Sequence, residues 1–164
     1  MQERLLILPK QAKDKAIETK KFFNKLKKRA PKNLDVQVVK IHEEVFEETS
    51  CMSCANCCKT TGPLFTKQDI GRISKYLGMK PAQFEQQYLR VDEDNDWVLK
   101  KTPCSFLADD NGCTIYDFRP KACREFPHTD RKKIYQIAKL TQKNTAICPA
   151  AFDIVERMKT SIKF

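Results

Sequence analysis

"CMSCANCC", residues 51–58, gathers four of the chain's eight cysteines into eight positions. The others are Cys104, Cys113, Cys123 and Cys148, and none precedes Cys51. Unconnected buried thiols behave as small hydrophobes and need no such spacing, so the crowding points to a ligand set. Cys51, Cys54 and Cys57 follow C-x2-C-x2-C, a spacing that wraps one loop around a single centre. C-x2-C pairs build zinc knuckles, and the triple spacing also holds three corners of an iron–sulfur cluster in bacterial ferredoxins. In those ferredoxins a further ligand cysteine precedes proline, as Cys148 precedes Pro149 here. Cys57 and Cys58 are neighbours, whose side chains are expected to diverge and so to serve two centres, or one larger cluster and a second site. Eight thiols divide into two four-cysteine sites, or into one four-cysteine cluster with four left over. The spacing leaves both open.

A chain of 164 residues can bury a real core without cysteine cross-links. At the N-terminus the apolar run Leu5–Leu8 is only four residues long, with Glu3 and Arg4 before it and Pro9 after. A secretory segment needs roughly 7–15 apolar residues, and a bilayer span about 20, and neither occurs. The expectation is a cytoplasmic protein with no membrane span, where clustered cysteines stay reduced and read as metal ligands rather than disulfides. A thioredoxin-like C-x-x-C would need a βαβ context, and helices precede the motif instead. The formal charge of +10 is uneven: residues 1–40 hold twelve Lys/Arg against four Asp/Glu, residues 41–164 nineteen against seventeen. Bound cysteines are thiolates, so eight of them on two centres of charge +2 would lower the total to +6.

"PKQAKDKAIETKKFFNKLKKRAPK" reads as one basic helix of about 20 residues ending before Pro31, with Ala12, Ala16, Ile17, Phe23 and Leu26 on an apolar stripe. It is either a solvated helix packing that stripe or a docking surface for a protein or nucleic-acid partner. Leu34, Val38, Ile41 and Val45 set a second helix over 33–48, on which His42 reads as a surface or packed histidine. Thr66 with Asp69 forms a capping-box start and Gly78 a stop, and Pro81 opens another short helix. "DEDND" (92–96) is a turn before the strand "WVLKK". "PCSFL" and "CTIY" read as two strands joined by a hairpin at Asn111-Gly112, with Cys104 and Cys113 facing each other across it. "RPKACREFP" is irregular or a single turn, "RKKIYQIAKLTQ" is helix or strand, and Pro149 starts a C-terminal helix of three to four turns.

Together "SCMSCANCC" (50–58), "PCSFLADDNGCTIYDFRPKACREFP" (103–127) and "CPAAFDIVE" (148–156) resemble the YkgJ-type cysteine-cluster family, a zinc- or iron-chelating domain of bacterial type. The resemblance covers about residues 50–127 and 148–156, and every cysteine falls on a motif cysteine. It implies that Cys51, Cys54, Cys57, Cys58, Cys104, Cys113, Cys123 and Cys148 are metal ligands. A similar domain accompanies flagellin lysine methylases, but this chain has no length for a second catalytic domain, and that activity is not expected here.

Phe106, Ile115, Tyr116, Phe118 and Phe126 are expected to form an apolar shell over the thiolates. Arg119 and Arg124 would either neutralise the site through charge-assisted hydrogen bonds or pin the loop to a carboxylate such as Asp117 or Glu125. His128 is a loop histidine that could also serve as a ligand or proton carrier. Zinc is preferred by a small margin over iron, a [4Fe–4S] cluster included. No nucleophile–base pair, paired-carboxylate motif, phosphate loop or nucleotide fingerprint stands out, so a non-catalytic binding module leads. An iron–sulfur redox protein or enzyme and a nucleic-acid-associated zinc module are the alternatives, and metal storage is the weakest. The expected fold is α+β: a small, mostly helical domain with a short antiparallel hairpin region organised around cysteine-ligated metal. Residues 1–49 form a basic helical arm and lead-in helix, and 50–164 the metal-binding domain.

Overall fold

The computed structural model describes residues 1–164. It is mostly helical with one small three-stranded antiparallel sheet, an α+β chain. The chain forms two compact units, Met1–Cys54 with Pro127–Phe164, and Ala55–Phe126.

The first unit is helical. It contains α1 (Gln2–Asp14), α2 (Ala16–Lys28), α3 (Leu34–Glu48), the single turn α4 (Cys51–Cys54), α9 (Ala138–Thr145) and α10 (Pro149–Ser161). The single basic helix expected from the sequence is in fact two, meeting at Lys15, and α1 carries Pro9 in its interior. Burial decides this against the proline: Leu8 and Ala12 of α1 are both buried, and such packing outweighs local propensity. The break also resets the stripe of α2. Thr19, Phe22, Phe23 and Leu26 face inward, while Ile17, expected on the stripe, is 71% exposed. In α3 the buried residues are Leu34, Val38, Ile41 and Val45, as their spacing requires. They join Phe22, Phe23, Leu26, Ile134, Ile154, Val155 and Met158 in one core. His42 is a packed histidine: Nδ1 lies 2.9 Å from Thr129 Oγ1 and its ring 4.6 Å from that of Phe46. The ambiguous stretch 131–142 is helical, a 3-10 turn Ile134–Ile137 running into α9.

The second unit contains α5 (Asn56–Thr60), β1 (Leu64–Phe65), α6 (Lys67–Tyr76), α7 (Pro81–Tyr88), β2 (Leu89–Val91), β3 (Trp97–Leu99) and α8 (Lys121–Glu125). The strand order is β1-β3-β2, with Phe65 and Val91 both opposite Trp97. The turn between β2 and β3 is built by Asp92, whose Oδ1 accepts the N–H groups of Asp94 and Asp96 at 3.0 and 2.9 Å. Helix α6 starts on the Thr66/Asp69 capping box. It stops at Gly78, whose φ of +68° a side chain would disfavour, with Met79 N–H closing onto Ser74 O at 3.0 Å. Phe84, fully buried, sits among Phe65, Tyr88 and Phe106 at ring distances of 5.2–6.2 Å and contributes roughly 2–3 kcal/mol by burial.

The expected hairpin over 104–116 does not form as strands; a lone bridge, Leu107 to Cys113, remains. Its turn is present, with Asn111 left-handed (φ 66°) and Ala108 N–H bonded to Gly112 O at 2.8 Å. Local turns take the carbonyls that a ladder would need. Cys104 O accepts Leu107 N–H at 3.1 Å, and Cys113 O accepts Tyr116 N–H at 3.1 Å as the 3-10 turn Tyr116–Phe118 begins.

Candidate metal centre

The stretch 51–58 is not one loop. Cys51–Cys54 and Asn56–Thr60 are each a helical turn, and Ala55 between them is left-handed at φ 48°. The units therefore divide the cysteines, with Cys51, Cys54 and Cys148 in the first and Cys57, Cys58, Cys104, Cys113 and Cys123 in the second.

In the second unit Cys58 comes from α5, Cys104 and Cys113 flank the Asn111 turn, and Cys123 lies on α8. Cys104 N–H donates to Cys58 O at 2.7 Å, which ties the turn region to α5. Cys104 Sγ accepts Phe106 N–H at 3.5 Å. Cys104 and Cys113 pack against the core of Phe65, Ile70, Ile73, Phe84, Leu89, Leu99, Phe106 and Ile115. Cys58 lies close enough to act on the ionisation of the other three, and Cys104 and Cys113 on that of Cys123. Burial pushes the Cys104 and Cys113 thiols up, and negative charge on Cys58 adds to both. Cys123 is driven to about 12, by burial and then by charge on Cys58, Cys104 and Cys113. Cys58 moves the other way, to about 7, because it takes a hydrogen bond from the Cys57 thiol and lies near Lys59. The Cys57 and Cys58 sulfurs are 4.0 Å apart, so the expected divergence of these neighbours does not occur.

In the first unit Cys148 caps α10, its Sγ accepting Ala151 N–H at 3.5 Å. Burial pushes its thiol to about 11, and charge on Cys51 and Cys54 adds to the rise, so these three form a second group. Asn144 holds Cys148 in place. Its carbonyl accepts Cys148 N–H at 2.8 Å, and its buried side chain donates to Pro127 O at 3.1 Å.

A family model for CxxCxxCC, described as a zinc- or iron-chelating domain, matches residues 50–149. The chain belongs to the CxxCxxCC family. No solved structure matches it.

The CxxCxxCC domain offers a donor set of thiols, with neither carboxylate nor imidazole among them, which suits zinc or iron. As they stand, no three His, Cys, Asp or Glu side chains are gathered closely enough to hold an ion. The negative charge on neighbouring thiolates that raises Cys104, Cys113 and Cys123 is what a bound cation would relieve. Of the expected apolar shell, Phe106 and Ile115 are buried and Phe118 packs against the same core, but Tyr116 is 58% exposed. The reason is that Tyr116 opens the 3-10 turn and its ring lies 3.8 Å from the Arg119 guanidinium. Arg119 donates to Tyr116 O at 2.6 Å, and its charge favours the ionised forms of Cys113 and Cys123. Arg124 donates to Arg119 O at 3.2 Å. His128, left-handed at φ 64°, belongs to the first unit.

Two residues were not marked for the site by the sequence, in which Asp69 reads as half of a capping box and Arg72 as an ordinary helix residue. Asp69 is 1% exposed. Burial pushes its carboxyl up, but hydrogen bonds from Thr66, Arg72 and the Lys121 N–H outweigh this and hold it below the usual carboxylate range. Arg72 bonds to Asp69 and to the carbonyls of Phe118 and Arg119. Their i,i+3 spacing on a helix was the one available hint.

Proposed function

We propose that this chain is a non-catalytic chelating module in which Cys58, Cys104, Cys113 and Cys123 bind one metal ion, zinc in preference to iron. The observation that supports this is that Cys104 and Cys113 pack against one apolar core while charge on Cys58, Cys104 and Cys113 reaches the buried Cys123 thiol, so that thiols from three separate segments share one neighbourhood. Four protein ligands close a tetrahedral site, whereas catalytic zinc keeps a position open, which favours a structural role. Cys51, Cys54 and Cys148 supply thiols to a second centre. The test is elemental analysis with a visible spectrum on protein purified without air. Zinc and no colour are expected. Iron with sulfide and a brown, reducible chromophore would overturn the zinc reading in favour of an iron–sulfur redox protein, with Arg119, Arg124 and His128 as the groups to examine for substrate binding.

A second reading, docking on nucleic acid, rests on how charge is distributed in the first unit. Five of its eleven acidic residues, Glu18, Glu44, Glu48, Asp153 and Glu156, are paired with Arg4, Lys15, Lys40, Arg157 and Lys159. Lys27, Lys28 and Arg29 at the end of α2, and Lys132, Lys133 and Lys139 beyond the second unit, are exposed and lie outside these pairs. The fold brings the two segments together, because α2 packs on Ile134–Ile137 and α9. No exposed aromatic side chain interleaves the α2 lysines, so the surface suits a duplex backbone rather than stacked single-strand bases. Binding of a short duplex is expected to weaken about 10³-fold between 50 and 200 mM salt, as for about six phosphate contacts, and to vanish in a Lys27→Glu, Lys28→Glu, Lys132→Glu, Lys133→Glu chain. Binding indifferent to salt and to those changes would remove this reading.

A further inference from the structure

Asp69 uses its two carboxylate oxygens for different purposes. Oδ2 serves the start of α6, accepting from Thr66 N–H at 3.0 Å and from Thr66 Oγ1 at 2.7 Å. A helix cap needs no more than that. Oδ1 turns to the segment that leads into α8, accepting Lys121 N–H at 3.1 Å and Arg72 Nη2 at 2.7 Å. The same Nη2 of Arg72 donates to Phe118 O at 3.2 Å and to Arg119 O at 3.0 Å. Arg72 Nε is buried without a partner, so the guanidinium is placed by its Nη2 bonds. One turn further along α6, the Tyr76 ring stacks on that of Phe118 at 4.1 Å. Asp69 and Arg72 thus hold the backbone at Phe118, Arg119 and Lys121, and Tyr76 holds the Phe118 ring. Cys123 follows two residues later on a helix of only five residues, which packs on β1 and is entered through this grip.

From this arrangement we infer that Asp69 and Arg72 are positioning residues for the metal centre, holding the 118–121 backbone so that Cys123 meets Cys58, Cys104 and Cys113. The inference rests on the chelating reading above and adds residues that touch no metal. Outer partners of this kind orient a ligand, and losing one typically lowers metal affinity about 10–100-fold. The Asp69 and Arg72 contacts work through backbone carbonyls and one N–H, so that part of the grip does not depend on what side chains stand at 118–121. It does require a donor at position 72 long enough for one nitrogen, Nη2, to reach a carboxylate and two carbonyls together.

The test uses Co²⁺ as probe on the full chain purified without air, reading affinity by chelator competition and thiolate ligation from the sulfur-to-cobalt charge-transfer band. Asp69→Asn and Arg72→Ala are expected to lower affinity at this centre about 10–100-fold and to weaken the band as Cys123→Ser does. Arg72→Lys should fall between wild type and Arg72→Ala, and it covers the case in which the harsher variants fail to fold. Ile73→Val, in the core on the same helix and with no hydrogen bond to the 118–121 backbone, should lower the melting temperature and leave affinity and band unchanged. If the Asp69 and Arg72 variants lower only the melting temperature, as Ile73→Val does, the pair is structural and the inference is overturned. If Cys123→Ser leaves the wild-type cobalt spectrum intact, the chelating reading fails first, and this inference with it.

Discussion

Cys123→Ser will cost the chain one equivalent of metal and unfold the Ala55–Phe126 unit, while Cys148→Ser will cost a different equivalent. The reasoning starts from how little else holds the second unit together. Its strands are two and three residues long, its longest helix has ten residues, and its core is eight buried apolar side chains. A core of that size leaves a stability of only about 3–5 kcal/mol. A structural zinc site supplies on the order of 10–16 kcal/mol at neutral pH, so metal would dominate the balance. Serine offers a neutral hydroxyl in place of a thiolate and leaves the ion three-coordinate toward protein. The measurement is metal per chain beside a thermal melt, with a chelator on the wild type as the matched control. Full metal content and a native melt in Cys123→Ser would sink the assignment. Loss of the same equivalent in Cys123→Ser and Cys148→Ser would show one centre where two are proposed.

Affinity at the second-unit centre is expected to fall about 10³-fold for each unit of pH between 8.5 and 7.5. Metal binds thiolates, so every proton still held by a ligand must leave when the ion enters. Burial raises Cys104 and Cys113 above their ordinary value and carries Cys123 to about 12, so all three are protonated across this window. Cys58, at about 7, is already mostly ionised there and adds a fourth proton as pH falls through about 7. Three protons released per ion give a slope of about three in log affinity against pH. Chelator competition at several pH values, corrected for the chelator's own protonation, gives that slope, and calorimetry in buffers of different ionisation enthalpy counts the protons. A slope of one or less would exclude these thiols as the ligands. The metal-free chain carries the opposite sign. Its folded state keeps protons that the unfolded state releases above about pH 8.5, so its stability drops as pH rises through the thiol range.

Much of the local structure was legible residue by residue. The four-three-four spacing of Leu34, Val38, Ile41 and Val45 set α3, and Thr66 with Asp69, Gly78, Pro81 and Pro149 set the helix ends. Each of these signals acts through bonds within four residues, so neighbouring identities suffice to read it. The failures have one cause too. The 104–116 hairpin carried a correct turn, but Cys104 and Cys113 closed short turns of their own, and β1 exists only because Leu64 and Phe65 find Val98 and Trp97 across the sheet. Pro9 argued for a helix start and lost to the burial of Leu8 and Ala12.

The candidate site divides along the same line. Cysteine spacing and flanking residues were enough to place the chain in the CxxCxxCC family and to mark zinc or iron chelation as its chemistry, because donor type is a property of single side chains. Which thiols act on one another, which arginine grips residues 118–121, and that residues 131–143 lie beside α2 came only from the folded chain. Charge and hydrogen bonding depend on separation in space, and Asp69 and Lys121, 52 residues apart in sequence, are 3.1 Å apart where they meet.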